Sequence, residues 1–170
     1  LEVNTTGASN TALGSQSLAS NTTASNNTAV GYYALLSNTT GYANTAVGAE
    51  AGDAVTTGDF NVFVGKSAGG ATTTADANTA VGESSFVANT TGANNVAMGA
   101  NALGSNTTAS TNTAVGKSAL YTNTTGSGNV AVGYYAADAS NCSGLTCVGS
   151  GAGGAITTGS YNVMIGKDTG

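Results

Sequence analysis

The sequence predicts an all-β fold, a parallel β-solenoid of about ten 17-residue coils stacked along one axis. The pentapeptide Asn-[Thr/Val]-x-[Val/Leu/Met/Ile]-Gly occurs ten times, once with Leu145 in place of the asparagine. Its glycine keeps a constant spacing from Gly14 to Gly133, comes one residue early at Gly149 and then resumes the spacing. The chain has no proline, which would remove a hydrogen bond from a stacked strand. Because the period covers residues 1–170, we expect a single repeat segment, an excerpt of a longer fibrous protein.

The strand of each coil is predicted at the start of the pentapeptide, where β-branched residues recur. The fourth position is always apolar, and we interpret it as the inward core column, formed by Leu13, Val30, Val47, Val64, Val81, Met98, Val115, Val132, Val148 and Ile165. The third position, mostly alanine, would then lie on the other face. A strand that is apolar on both faces is usually buried on both. We therefore expect other copies of the chain to cover the alanines; the alternative is a thin monomeric coil that exposes them.

Two further elements follow each strand. The pentapeptide glycine predicts a turn, and Asn-Thr-Thr-Gly or a shortened form of it predicts a second. Equivalent residues of successive coils would lie about 4.8 Å apart, which gives a rod on the order of 45 Å long. At that spacing the pentapeptide asparagines are predicted to form a ladder in which each side-chain amide donates to the next. Its members are Asn10, Asn27, Asn44, Asn61, Asn78, Asn95, Asn112, Asn129 and Asn162.

One coil is irregular. The segment 129–144 is one residue short, and Cys142 and Cys147 flank the irregularity. We expect a disulfide between them that closes the shortened turn and indicates an oxidising compartment. The alternative is two buried thiols.

Composition argues against several classes of function. Three lysines and arginines against eight aspartates and glutamates give no basic patch for nucleic acid. Without histidine, the usual nucleophilic and metal sites are lacking, and the acids are scattered over different columns. We therefore predict no enzyme activity, no cofactor and no metal, and the absence of a long apolar run predicts no membrane span in this segment. The tyrosines are candidate ligand contacts, or alternatively fill corners or a subunit interface: Tyr32, Tyr33, Tyr42, Tyr121, Tyr134, Tyr135 and Tyr161.

The pentapeptides at 27–31, 112–116 and 129–133 resemble the core of the YadA-like head repeats of trimeric autotransporter adhesins. They are similar as well to repeats of trimeric phage-type tail fibres. The resemblance implies a left-handed parallel β-roll, three chains side by side, and attachment to a surface protein or glycan receptor. It also implies an extracellular or cell-surface location, or the surface of a virion or injection system. The family's coils are shorter than those of this chain, so the extra residues must enlarge a turn or an edge.

The sequence thus predicts a structural or adhesive extracellular fibre segment that attaches to or projects towards host, prey or matrix surfaces. One alternative is an ice-binding β-solenoid, suggested by the threonine pairs that recur from coil to coil. Adjacent threonines point to opposite faces of a strand, and only Thr72 and Thr74 give a Thr-x-Thr in that column. A second alternative is a glycan-binding tail-fibre shaft.

Overall fold

The computed structural model describes all residues, 1–170, and shows a β-solenoid with no helix. Each coil contributes one three-residue strand to a single parallel sheet, in which every strand pairs with the strands before and after it in the chain. The all-β solenoid fold predicted from the repeat is confirmed. The strands are β1 (Thr11–Leu13), β2 (Thr28–Val30), β3 (Thr45–Val47), β4 (Val62–Val64), β5 (Thr79–Val81), β6 (Val96–Met98), β7 (Thr113–Val115), β8 (Val130–Val132), β9 (Thr146–Val148) and β10 (Val163–Ile165).

The strand register follows the repeat. Thr28 pairs with Thr45 and Val30 with Val47, one full repeat apart, so that equivalent positions lie directly above one another. In the short coil, Val130 pairs with Thr146, one residue less than a full repeat further on, and the columns continue without a shift. The missing residue is therefore absorbed in a turn and not in the sheet.

The predicted inward column is wrong. The third position, not the fourth, points into the coil: Ala29, Ala46 and Ala80 are fully buried, whereas Val47 is 37% and Met98 43% exposed. Since side chains alternate across a strand, the second and fourth positions share the outer face. The fourth column, predicted to face inwards, is half-buried or exposed throughout: Leu13, Val30, Val47, Val64, Val81, Met98, Val115, Val132, Val148 and Ile165.

The reason lies in the width of the coil. The third position shares the interior with the ninth, which holds buried leucines such as Leu35 and Leu120, so only a small residue fits in the strand. Where the strand carries Phe63, the ninth positions beside it are Gly52 and Gly69. A Cβ atom at Gly52 or Gly69 would lie 2.7 or 2.5 Å from a ring carbon of Phe63. Large and small residues thus alternate between the two interior columns, which keeps the interior close-packed.

The glycine that ends each strand is required by the approach of the next coil. Gly31 has φ 136°, and a Cβ there would lie 2.4 Å from the carbonyl oxygen of Gly48. Both conditions exclude other residues, and they recur at each pentapeptide glycine from Gly14 to Gly149. The turn predicted from this column is therefore also a place where successive backbones approach closely.

The asparagine ladder exists, but most of its bonds differ from those predicted. The backbone N–H of each asparagine donates to the Oδ1 of the one before it, as from Asn44 to Asn27 at 2.9 Å. Its Nδ2 donates to a carbonyl near the end of the same coil, as from Asn27 to Gly41 at 2.9 Å, and so joins the two ends of that coil. Amide-to-amide bonds occur in three steps only, among Asn44, Asn61, Asn78 and Asn95. Asn162 is exposed and lies outside the ladder, because Leu145 interrupts it.

A second asparagine ladder runs through the Asn-Thr-Thr-Gly segments, which the sequence predicts only as turns. The Nδ2 of Asn38 donates to the Oδ1 of Asn21 at 3.1 Å and to the carbonyl of Gly41 at 2.9 Å. Asn89, Asn106 and Asn123 continue the same column further along the chain. Recurrence of this asparagine at the period of the pentapeptide was the signal available in the sequence.

The predicted disulfide is not formed. Cys142 and Cys147 are both free and buried. Cys147 occupies the inward third position of β9, whereas Cys142 stands in the column of Gly126, at the turn whose carbonyl accepts the Nδ2 of Asn129. Each cysteine thus replaces a small residue of its own column, and the buried-thiol alternative is the one that the structure supports.

The short coil is closed by a side chain. In a regular coil such as the third, the carbonyl of Thr56 accepts the N–H groups of Thr39 and Thr40. In the short coil the Oδ1 of Asn141 takes that place and accepts the N–H groups of Thr124 and Thr125, both at 2.9 Å. Asn141 therefore substitutes for the missing backbone carbonyl.

Candidate interaction surface

The most extended exposed apolar feature is the outer face of the sheet, formed by the second and fourth positions of all ten strands. We call it the outer strip. At about 3.3 Å per residue and 4.8 Å per strand, it measures on the order of 10 by 45 Å, about 450 Å². The largest apolar patch of a monomeric protein commonly measures about 300–600 Å² and is often functional, so the outer strip is a candidate contact surface.

The two columns of the outer strip differ in chemistry. The second position is threonine in six strands and valine in four, whereas the fourth is aliphatic or methionine in all ten. No charged residue stands in either column. The fourth column is consequently apolar along its whole length while it remains accessible to solvent.

Charged residues flank the outer strip on both sides. The sixth position of the repeat, two residues after the strand, forms the following edge and carries all three lysines, Lys66, Lys117 and Lys167, together with Glu83. The sixteenth position, three residues before the next strand, forms the preceding edge, which carries Asp59 in one coil and Asp76 in the next. The strip thus lies between an edge with cations and an edge with anions.

The aspartates of the preceding edge are held by the coils before them. The N–H of Tyr42 donates to the Oδ1 of Asp59 at 2.9 Å, and the N–H of Asp59 donates to the Oδ1 of Asp76 at 2.8 Å. Serine fills the same role elsewhere in this column, as where the N–H of Ala93 donates to the Oγ of Ser110. These bonds fix the carboxylates in place and leave one oxygen of each without a donor from the chain.

Five of the seven tyrosines lie in small, partly exposed clusters at or next to the same edges. Tyr32 and Tyr33 stack with ring centroids 3.8 Å apart, and Tyr134 packs edge-on against Tyr135 at 4.4 Å. On the other side of the strip, Tyr42 contacts Phe60. Tyr121 packs beside Gly104, and Tyr161, which is 81% exposed, packs beside Gly144. They offer aromatic surface without an enclosed pocket.

Of the remaining acids, Glu50 and Asp53 lie close enough to interact, but no wider cluster forms. Glu50 accepts a hydrogen bond from the Ser67 hydroxyl at 3.0 Å, while burial raises the pKa of Asp53. No group of three or more potential metal-binding side chains occurs, and no ligand-sized pocket is present. Burial likewise raises the pKa of the Cys147 thiol, so little of it is the reactive thiolate at neutral pH.

The first threonine of most threonine pairs, up to Thr107, is not free for an outer contact. The hydroxyl of Thr39 donates to the carbonyl of Thr56 at 3.1 Å, and the same bond recurs from Thr22 to Thr107. This column is a third hydrogen-bond ladder along the rod. The second threonine of the pair, such as Thr40, is exposed but lies at a bend of the chain and not on the sheet. The threonines that form an array on a flat face are therefore those of the outer strip.

None of the helices that a membrane span would require is found in this chain. Compared with protein-family models, curated proteins and solved structures, the chain has no match.

Proposed function

We propose that this chain is a structural and adhesive segment of an extracellular fibre, in which copies of the chain pack side by side through the outer strip. The observation that carries the proposal is the fourth column, which is apolar in ten of ten coils although it faces outwards. A second face buried between copies is the arrangement that the apolar pattern of the strands favours. The covering surface differs from the one expected from sequence, since the valine column and not the alanine column faces outwards.

The number and arrangement of copies follow from the resemblance. Repeats of the YadA-like type imply three chains, a left-handed coil and an extracellular, cell-surface or virion-surface location. The other faces of the rod, with their turns and tyrosine clusters, would then remain available to a surface protein or glycan receptor. A rod of stacked coils suits projection, because its length scales directly with repeat number.

Two substitutions on neighbouring residues test the proposal. Ala80→Asp buries an unpaired charge inside the coil and is expected to unfold it, whereas Val81→Asp places the charge on the outer strip. We expect Val81→Asp to keep the circular dichroism of a folded coil but to shift the sedimentation mass from oligomer to monomer. Glu50→Gln is the matched control and should change neither. A wild-type chain that is monomeric at every concentration would refute the proposal.

A second candidate, ice binding, is favoured by one observation. Six of the ten second positions on the outer strip are threonine, repeated at the strand spacing next to an aliphatic column. Such a regular array of hydroxyl and methyl groups could match an ice surface if no protein covered it. Thermal hysteresis of the purified segment measures this function directly, and freezing at the colligative temperature would exclude it.

A further inference from the structure

We infer that Lys66 forms an ion pair with Asp59 and Asp76 of the adjacent copy, and that this pair sets the polarity and register of the oligomer. The inference rests on the proposed function. It starts from the size of the outer strip, since two facing strips bury only about 900 Å², below the range of stable interfaces. Residues beside the strip must contribute, and these are the two edges.

The symmetry of a closed ring of parallel copies decides which edges meet. If each copy turns its outer strip towards a central axis, the following edge of one copy lies against the preceding edge of the next. The following edge presents lysine at the sixth position, and the preceding edge presents aspartate at the sixteenth. A ring therefore places opposite charges together, whereas a two-fold pair of antiparallel copies would place each edge against itself.

The levels of the charges along the rod agree with this arrangement. If the chain climbs about 4.8 Å evenly over one coil, Lys66 lies roughly 2 Å above Asp59 and roughly 3 Å below Asp76. Copies related by rotation alone have equivalent residues at equal heights, so Lys66 falls between the two aspartates of its neighbour. Glu83, one coil further on, lies between the levels of Asp76 and Ala93, where its carboxylate faces that of Asp76, so the attraction between these edges comes from Lys66 alone.

The partners are unpaired within their own chain. Lys66 is exposed and has no carboxylate within ion-pair distance, whereas Lys167 pairs with Asp168 at 3.7 Å and Lys117 lies 6.0 Å from the ring centre of Tyr134. Each aspartate uses one oxygen for a backbone N–H and leaves the other unoccupied. Lys66 is thus the one lysine that lacks a partner, and it stands at the level of the only acids on the opposite edge.

Carbodiimide cross-linking of the full segment tests the contact. The reagent condenses the Lys66 amine with a nearby carboxylate into an amide, and the carbodiimide takes up the water that is lost and becomes a urea. Mixing unlabelled and ¹⁵N-labelled chains distinguishes cross-links between copies from those within one chain. We expect mixed-isotope peptides that join Lys66 to Asp59 or Asp76. An oligomer that yields no such mixed-isotope product would overturn the inference and leave the proposed function standing. A monomer would refute both.

A mutant cycle tests the energetics with variants that preserve the fold. Asp59→Asn and Asp76→Asn keep the oxygen that accepts the backbone N–H, and Lys66→Gln keeps most of the stem. Lys66→Gln is expected to raise the dissociation constant of the oligomer about fivefold at low salt, but to have no further effect when both aspartates are asparagine. Lys117→Gln is the control, because at the height of Lys117 the adjacent copy presents Ser110 and Ser127 and no carboxylate. This variant should change the dissociation constant less than about twofold. Equal effects of Lys66→Gln in both backgrounds would overturn the pair.

Discussion

The size exchange around Phe63 gives the most direct test of how the coil interior is built. Phe63 is fully buried and fills the space beside two glycines, at a repeat position where four other coils carry a leucine. Phe63→Ala is expected to lower the free energy of unfolding by about 4 kcal/mol, in the range for a truncated buried phenylalanine. Neither Gly52 nor Gly69 has a side chain that could move into the void, so little relaxation should reduce this cost.

The reciprocal change, a leucine in place of Gly69 with Phe63 retained, should destabilise the coil. A leucine at position 69 would place its Cβ 2.5 Å from the Phe63 ring, closer than atoms can pack, so Gly69→Leu is expected to cost about 3 kcal/mol. The backbone is not the obstacle. Leu103 and Leu120 adopt φ of 50° and 51° at the same repeat position, close to the 65° of Gly69.

Combining the two changes should restore most of the stability. Phe63→Ala with Gly69→Leu gives the fourth coil the same pair as Ala114 and Leu120 in the seventh, and adding Gly52→Leu fills the remaining gap. Denaturant unfolding of the single, double and triple variants measures the coupling, which we expect to exceed about 3 kcal/mol. Additive losses in the double variant would refute the size exchange and with it the assignment of the third column to the interior.

Three further predictions concern the hydrogen-bond ladders and the cysteines. Val55→Asn should raise the free energy of unfolding by about 1 kcal/mol, because the new amide would reach the buried Asn38 Oδ1 and Thr72 Oγ1, which have no partner. If Val55→Asn instead lowered the free energy of unfolding as much as Val55→Ala does, this prediction would be wrong. Asn141→Ala should lower the free energy of unfolding by about 1–2 kcal/mol and speed amide hydrogen exchange at Thr124 and Thr125. Asn141→Asp keeps the accepting oxygen and is the control. Unchanged exchange in the alanine variant would contradict the role of Asn141 in closing the short coil. With a thiol-specific reagent and no reductant, Cys142 and Cys147 should react slowly in the folded chain and count as two free thiols after unfolding. A count of zero after unfolding would show that they form the disulfide.

The fold was predictable because stacked coils require the same residue types at the same position of every coil, which appears in the sequence as a fixed period. Recurrence of the pentapeptide glycine, from Gly14 to Gly166, fixed both the strand positions and their register, and the pairs of Thr28 with Thr45 and Val130 with Thr146 follow directly. Even the short coil kept its columns. Register in a solenoid is set by repeat length alone, so no long-range contact had to be guessed.

The orientation of the strands was not predictable from hydrophobicity, because both faces are apolar. Valine is larger and more apolar than alanine, which favoured the wrong face, whereas the space left inside the coil by Leu35 and Leu120 admits only a small residue. One signal did exist. The large third-position residue Phe63 coincides with glycine at positions 52 and 69, an exchange expected only of columns that touch.

Strand propensity alone does not explain why the fourth column of the outer strip is apolar in every coil. β-branched residues favour strands, but threonine meets that preference as well as valine and fills the second position in six coils. It never fills the fourth, although the chain is rich in threonine and the fourth position is just as accessible. The fourth column excludes threonine, whereas the second column on the same face accepts it. The fourth column is therefore explained by the exclusion of water and not by strand formation. That distinction favours a packed contact between chains over a solvated or ice-bound face, in which hydroxyl groups would be tolerated in both columns.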